Sequence, residues 1–402
     1  VFAAALLFAT LSHAQSLLWQ KRYAEAMTEY RAILARDANN VAARKGLATA
    51  EYWSGDFRSA RRDFRLVLKS RPTDDDAQRS LAEIASASRP VITAGSDVTS
   101  DDQPMHRAVL STSYTLFSDP LTKWTATAGT YSLAARSLGY GSVSSPFVQV
   151  AGDAKLPSLG ISVTASLRAL RFPDGTRLPL GSASIARGPL RISIEKQELL
   201  YTATSLTAHP SATTTSLAWT RGDLSSAAVH TIRYFDGNHG IAADGFHLAR
   251  INDSFFAGVS AAYRDTEESR FRLIGASASP AAGSYAYSYT AAYDPYWTPR
   301  HEIEARAIIG STVAAGRATI RLHADGGIGR DRDLVFGPSS GTTPNAPLFA
   351  APIEVSRTFH PWRASGEVTF PLRNGSIAAG VERSSTVFYR ATTLHLGFNI
   401  RP

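Results

Sequence analysis

Residues 161–169 read ISVTASLRA, and their alternation decides the architecture of most of the chain. Ile161, Val163, Ala165, Leu167 and Ala169 fall on one side of an extended segment, and Ser162, Thr164, Ser166 and Arg168 on the other. A period of two marks a β-strand with one apolar and one polar face. The same pattern recurs in both directions. Arg191, Ser193 and Glu195 alternate with Ile192 and Ile194, and Glu302, Glu304 and Arg306 with Ile303, Ala305 and Ala307. Arg317, Thr319, Arg321, His323 and Asp325 alternate with Ala318, Ile320, Leu322 and Ala324. Near the end, Leu394, Leu396, Phe398 and Ile400 share a face opposite Thr393, His395, Gly397 and Asn399.

A soluble sandwich and a membrane barrel both contain such strands. Three features select the barrel. The alternating runs are about 9–12 residues long, the length of a tilted bilayer crossing. They continue without interruption from residue 90 to the end, too far for one sandwich. Aromatic residues gather near strand ends (Phe117, Trp124, Tyr131, Phe255, Phe256, Tyr293, Tyr296, Trp297, Phe359, Trp362), as in interfacial girdles. At about 20 residues per strand and turn the region accommodates about 16 antiparallel strands, a width that admits a channel. The mean hydropathy of −0.12 is no obstacle, because barrel strands place apolar residues at alternate positions only.

Residues 17–88 have a different grain, rich in Ala, Leu, Glu and Arg. Tyr23 matches Phe57, Ala26 matches Ala60, Tyr30 matches Phe64 and Leu34 matches Leu68, each at an offset of about 34 residues. Small residues at Ala26 and Ala60 allow close helix approach, while Tyr30 and Phe64 fill the space between hairpins. Gly55-Asp56 supplies a C-cap followed by an N-cap, and Pro72 stops a helix. YAEAMTEYRAIL and GDFRSARRDFRLVLKSRP resemble the tetratricopeptide repeat, which implies a small all-α module of about two repeats. Such modules bind proteins, so a periplasmic protein partner is expected.

Val1–Thr10, VFAAALLFAT, has the length of a signal-peptide apolar region, and Ser12-His13-Ala14 provides small residues for cleavage before Gln15. The expected organisation is therefore a signal segment at 1–14, the helical module at 15–89, a linker at 90–106 and an outer-membrane barrel at 107–402. Outer-membrane lipid is the expected surroundings. With no cysteine, disulfides and thiol chemistry are excluded. The net charge of +8 is spread along the chain without a basic tract, which argues against nucleic acid.

No nucleophile elbow, zinc-protease helix or phosphate loop occurs, so no catalytic residue, metal or cofactor is expected. The strand histidines His230, His247, His301, His323 and His395 have no distinctive spacing to a serine. The candidate functional residues are instead the charged faces expected to line a lumen: Arg168, Arg191, Glu195, Glu302, Glu304, Arg306, Arg317, Arg321, His323 and Asp325. Tyr285, Tyr287 and Tyr289 share one strand face and suit stacking on sugar rings if that face is the lumen.

Two further stretches carry a resemblance. Tyr234-Phe235-Asp236-Gly237-Asn238 precedes a glycine-containing turn, and Tyr293-Asp294-Pro295-Tyr296-Trp297-Thr298-Pro299 is similar to a Tyr-Trp-Ser-Pro box with Thr298 in place of Ser. Together with a repeat module ahead of a barrel, they resemble the outer-membrane subunits of exopolysaccharide exporters of the cellulose type and the YaiO-type barrels. That resemblance implies a transport barrel for a polysaccharide. The alternative on the same residues is a non-conducting outer-membrane anchor, and after it a lipid-modifying barrel enzyme. The cellulose exporters carry a long repeat array, whereas here there are two repeats.

Overall fold

The computed structural model describes residues 2–102, 105–134, 141–200, 204–281, 284–293, 295–336, 339–341, 352–387 and 390–402. Within 2–10, 271–293, 333–336, 339–341 and 352–353 the description is of the backbone alone.

Five helices come first: α1 (Phe2–Trp19), α2 (Tyr23–Arg36), α3 (Val41–Ser54), α4 (Phe57–Ser70) and α5 (Asp75–Ala87). Their ends reflect local chemistry. Asn40, Asp56 and Asp74 each accept a hydrogen bond from the backbone N–H three residues on, capping α3, α4 and α5. Gly55 closes α3 at φ +86°, where a Cβ would be strained. The repeat residues meet as their spacing requires. Ala26 and Ala60 are fully buried, Tyr30 packs with Ile33 and Leu47, and Phe64 with Val67 and Ile84. Phe57 and Tyr23 sit at the margins of these two cores. α1 runs across the expected cleavage point, and Ala14, Leu17 and Leu18 are buried against α2 and α3.

The strands come next: β1 (Val91–Asp101), β2 (His106–Asp119), β3 (Thr122–Ala134), β4 (Ser142–Leu156), β5 (Ile161–Arg171), β6 (Arg177–Arg187) and β7 (Leu190–Glu198). A short helix, α6 (Ser205–Ala208), precedes β8 (Ser211–Arg221), β9 (Ser225–Tyr234), β10 (His239–Arg250) and β11 (Phe255–Thr266). After β12 (Phe271–Ala281) and β13 (Ser284–Tyr293) come β14 (Arg300–Ala315), β15 (Ala318–Phe336) and β16 (Ser339–Gly341). The chain ends with β17 (Pro352–Phe359), β18 (Trp362–Leu372), β19 (Gly375–Ser385) and β20 (Arg390–Ile400).

Seventeen of these strands form one antiparallel sheet, and β20 pairs with β1 to close it. β17 pairs with Gly329–Phe336 and β18 with Thr319–Gly326 of the same long β15. The two therefore act as one staircase strand bent at His360-Pro361, where proline supplies no N–H for the ladder. The result is a closed barrel of about sixteen strands, preceded by the helical module. β12, β13 and β16 form a separate three-stranded sheet.

The segment at 90–106, expected as a linker, contains β1, hydrogen-bonded in register from Val91↔Thr115 to Ser100↔His106. The barrel thus starts at Val91 rather than residue 107. VITAGSDVTSD carries small and polar residues on both faces, so its alternation is faint against a loop-like composition.

Turns at the end bearing the helical module are short: 120–121, 157–160, 188–189, 222–224, 251–254, 316–317 and 373–374. At the other end the connections reach the lengths of 199–210, 267–299 and 337–351. Short turns on the side of both chain termini and long loops opposite are the asymmetry of an outer-membrane barrel with its helices in the periplasm. The outer wall agrees. Leu110, Val148, Leu167, Ile192, Val259, Ile309, Val368 and Leu394 all stand exposed, Leu167 at 76%. So continuous an apolar belt is stable only in lipid.

Candidate functional site: the inner wall of the barrel

Residues opposite the lipid-facing set point inward, and the inner wall has two chemical halves. From β1 to β10 it is mainly hydroxyl. Ser113 bonds Thr127 and Thr115 bonds Thr125 at 2.9 Å, Thr164 bonds Ser184 at 2.8 Å and Ser166 bonds Ser182 at 2.9 Å. Each pair sits directly across the ladder, where facing side chains are close enough for such rungs.

From β11 to β18 the wall is charged. Arg264 donates to Glu302 at 2.8 Å and lies 3.5 Å from Glu304. Arg306 donates to Glu304 at 2.9 Å and to Asp325 at 2.8 Å. Asp325 also accepts from Arg363 at 2.9 Å and meets His323 at 2.9 Å. Glu302, Glu304 and Asp325 are buried, which is tolerable only because a guanidinium stands on each.

The sequence candidates fall into several groups. Glu302, Glu304, Arg306, His323 and Asp325 form this one network. Arg321 is separate, bonded to Glu367 at 2.8 Å. Arg168 donates to Glu198 at 3.0 Å and to the Tyr131 hydroxyl at 2.8 Å. Arg191 donates to Ser184 at 3.0 Å, and Glu195 is exposed opposite Ser182. Arg317 departs from its expected place. It occupies the turn before β15, with its guanidinium 5.6 Å from the centre of outward-facing Phe370. Its parity with Arg321 means little there, because the strand begins only at Ala318.

Tyr285, Tyr287 and Tyr289 lie on β13, which pairs with β12 and β16 in the separate sheet and not with the barrel wall. Their side chains lie outside the described residues. Among the expected girdle aromatics, Trp124, Phe255 and Trp362 are exposed. Tyr131 points inward, Tyr296 is buried, and Phe256 faces the interior beside His323.

Inner residues that the sequence did not place in the lumen are Arg264, Arg363, Phe246 and Phe256, the last of them expected in the girdle. The alternation of Ser260, Ala262 and Arg264 against Val259, Ala261 and Tyr263 would have found Arg264. Phe256 was obscured by its neighbour Phe255. These residues line two adjoining recesses. One, of about 640 Å³, is bounded by Phe246, Phe256, Arg264, Glu304 and Arg306. The other, of about 530 Å³, is bounded by Asp97, Arg321, Glu367 and His395; Phe256, His323 and Glu382 border both.

Ser216, His230 and Asp244 form a hydrogen-bonded row across β8, β9 and β10, at 2.7 and 2.8 Å. These strands are paired on both sides, so their backbone N–H groups are engaged in the ladder. None is left to hold a developing oxyanion beside Ser216. The row stiffens the wall. Among the described residues no group of three or more His, Asp or Glu could hold a metal ion.

The two stretches that resembled exporter motifs come together at the outer end. Tyr296 stacks on Tyr234 with ring centres 4.3 Å apart and 13° between planes, and its hydroxyl donates to Asp236 at 3.0 Å. Asn238 donates to the same hydroxyl at 3.1 Å, and Arg270 to Asp236 at 2.8 Å. Thr298 is buried and accepts from the Arg270 backbone N–H at 3.0 Å. The two motifs thus form one clamp that fixes the base of the 267–299 excursion.

Burial raises the pKa of Asp236, but the hydrogen bonds from Arg270, the Asn238 N–H and Tyr296 outweigh it, and the carboxyl titrates below its ordinary value. The clamp therefore contributes fully above about pH 4 and weakens as the pH falls through the lowered value. Asp236→Ala should raise protease cleavage within 267–299 roughly tenfold at neutral pH, the loss of about 1–2 kcal/mol of charged hydrogen bonding. Wild-type protein should approach that rate only in acid; equal rates at neutral pH would count against the clamp.

In the helical module, Glu51 is fully enclosed, with Arg31 at 3.3 Å. Burial, reinforced by nearby Asp63, pushes its pKa up to about 7. Stability from this group is present at low pH and is lost as the pH rises from the ordinary carboxylate range through 7. Glu51→Gln should stabilise the module by about 1–2 kcal/mol at alkaline pH and hardly at all in mild acid. Thermal loss of the helical circular-dichroism signal, followed at both pH values, tests this.

Known proteins resemble the two parts of the chain separately. The tetratricopeptide repeat family model matches residues 17–84. No curated protein sequence matches the chain. OprD of Pseudomonas aeruginosa is similar over 78% of this chain and 95% of its own, at 10% identity and a TM-score of 0.37. The translocator domain of the autotransporter NalP from Neisseria meningitidis covers 83% of this chain and 98% of its own, at 11% and 0.26. A mutant Rh. blastica porin covers 77% and 100%, at 7% and 0.32. Residues 17–84 are a tetratricopeptide segment, and the chain from Val91 onward is an outer-membrane β-barrel.

Proposed function

We propose that this barrel is an outer-membrane conduit for a hydrated polymer, an exopolysaccharide, and that the repeat module docks a periplasmic protein. Residues 1–14 serve in this reading as the export signal. The observation that carries it is the pair of inner recesses, which set the rings of Phe246 and Phe256 beside Arg264, Arg306, Glu304 and Glu382. Ring faces stack on sugar planes, and charged groups exchange hydrogen bonds with hydroxyls, so one surface serves both sides of a saccharide. The resemblance to the cellulose-type and YaiO-type barrels points the same way.

Single-channel recording in planar bilayers tests the reading. Conductance should be ohmic and should be blocked by soluble β-glucan oligosaccharides. The block should weaken about tenfold in Phe246→Ala and Phe256→Ala, since each stacking face is worth about 1 kcal/mol or more. A barrel that conducts but never responds to saccharide would defeat the polysaccharide assignment.

A second reading, a non-conducting anchor, is favoured by the outer-end loop between β7 and β8. Leu200 and Leu206 pack with Leu133, Phe147, Leu170 and Leu180 in one apolar cluster on the wall. If this loop closes the mouth, only its deletion should restore conductance.

A further inference from the structure

The seam between the repeat module and the barrel contains a recess of about 940 Å³. One side is built by the α1–α2 turn and the end of α3, with Lys21, Arg22 and Trp53. The opposite side is Thr122, Ala154 and Leu156. Those three belong to the outward-facing alternation of β3 and β4, in step with exposed Trp124, Val148 and Val150. The recess therefore lies outside the lumen, where the lipid-facing belt meets the periplasm. Contacts hold it there: Arg58 donates to Asp119 at 3.1 Å and Arg61 to the Ser118 carbonyl at 2.8 Å.

Two further features fit that level of a membrane. Trp19 is 67% exposed, with its ring centre 5.6 Å from that of Trp53, which is 41% exposed. Leu156 and Leu159 stand exposed at the tip of the neighbouring β4–β5 turn. Exposed indoles beside an apolar tip, at the end of a barrel wall, form the aromatic belt of a membrane interface. The cations complete the pattern. Lys21 and Arg22 both line the recess; Arg22 pairs with Glu25, while the Lys21 side chain has no carboxylate partner among the described residues.

We propose that this seam binds a phospholipid of the periplasmic leaflet. Its acyl chains lie along Leu156 and Ala154 against Trp53, and its phosphate sits on Lys21 and shares the Arg22 guanidinium with Glu25. The lipid would tie the repeat module to the membrane plane as well as to the barrel turns. The inference is independent of whether the lumen conducts.

The test uses the full chain, delipidated in detergent and titrated with phosphatidylglycerol under native mass spectrometry. Lys21 has φ +61°, so Lys21→Gly removes the charge at a position where glycine is better accommodated than lysine. Combined with Arg22→Gln, it should lower phosphatidylglycerol retention on the order of tenfold or more, from the attraction each cation exerts on an anionic headgroup. An unchanged helical signal verifies that the module remains folded. Retention equal to wild type would overturn the proposal. So would displacement of the lipid by inorganic phosphate at equal concentration, because the site would then be a phosphate site. In vesicles containing brominated lipid, Trp19→Phe/Trp53→Phe should lower the quenched share of tryptophan emission; an unchanged share would also overturn it.

Discussion

Asp325→Ala should destabilise the barrel by about 3 kcal/mol, because it leaves the Arg306 and Arg363 guanidiniums facing each other without the carboxylate between them. Asp325 is almost fully buried and accepts from Arg306, Arg363 and His323, so no rearrangement within one side chain replaces it. Arg306 keeps Glu304 at 2.9 Å, and Arg363 is partly exposed, which limits the loss at that end of the scale. Asp325→Asn retains acceptor capacity without charge and should lose about half as much. Urea unfolding in lipid vesicles, read as a shift in midpoint at constant slope, measures both. A midpoint unmoved by Asp325→Ala would mean that water already solvates these arginines. The same variant should turn the ion preference of any open pore toward anions, since two cationic groups lose their counter-charge.

Gly46→Ala should unfold the repeat module. The Cβ that alanine adds would overlap the Tyr30 ring, which is buried between α2 and α3. A mid-helix glycine is normally worth replacing, by about 1 kcal/mol of helix propensity. Here overpacking of a rigid ring costs more, about 2–4 kcal/mol net, comparable to the stability of so small a module. Far-ultraviolet circular dichroism should lose its helical component while heat-resistant barrel signal remains. Gly46→Ala with Tyr30→Leu should recover the helices, because leucine leaves the room that alanine needs. A folded single mutant would show that α2 and α3 move apart freely.

The barrel was legible wherever one face was strongly apolar. Ile161–Ala169 and Leu394–Ile400 announce their strands because lipid demands Leu, Ile and Val at every second position. β1 was not, since Ala94 and Ser96 satisfy the lipid side with little hydrophobicity. The charged inner wall was legible on β14 and β15, where acids and bases alternate with Ile and Ala. Arg264 lay in a readable alternation, but that it and Arg363 join the acids of β14 and β15 depends on register, which a one-dimensional pattern does not contain. Arg317 illustrates the converse: parity alone continues through a turn that the backbone does not. The clamp motifs were visible as two unusual stretches about sixty residues apart, and only the fold brings Tyr296 within 3.0 Å of Asp236.

Closure of the wall by β1 and β20 has a consequence for how the protein is made. The seam is bridged by Thr99 and Thr393 at 2.9 Å and by Asp97 and His395 at 2.7 Å, residues almost three hundred positions apart. No early-emerging part of the chain can satisfy the free edge of β1, so that edge stays open until the final strand has been exported. An open edge is a template for adding a foreign strand. Zippering of neighbouring hairpins is local and fast, while this last pairing joins the ends of the longest loop in the molecule. Ring closure should therefore be the slow step of biogenesis, and chains truncated before residue 390 should accumulate as unclosed, chaperone-bound or degraded sheets.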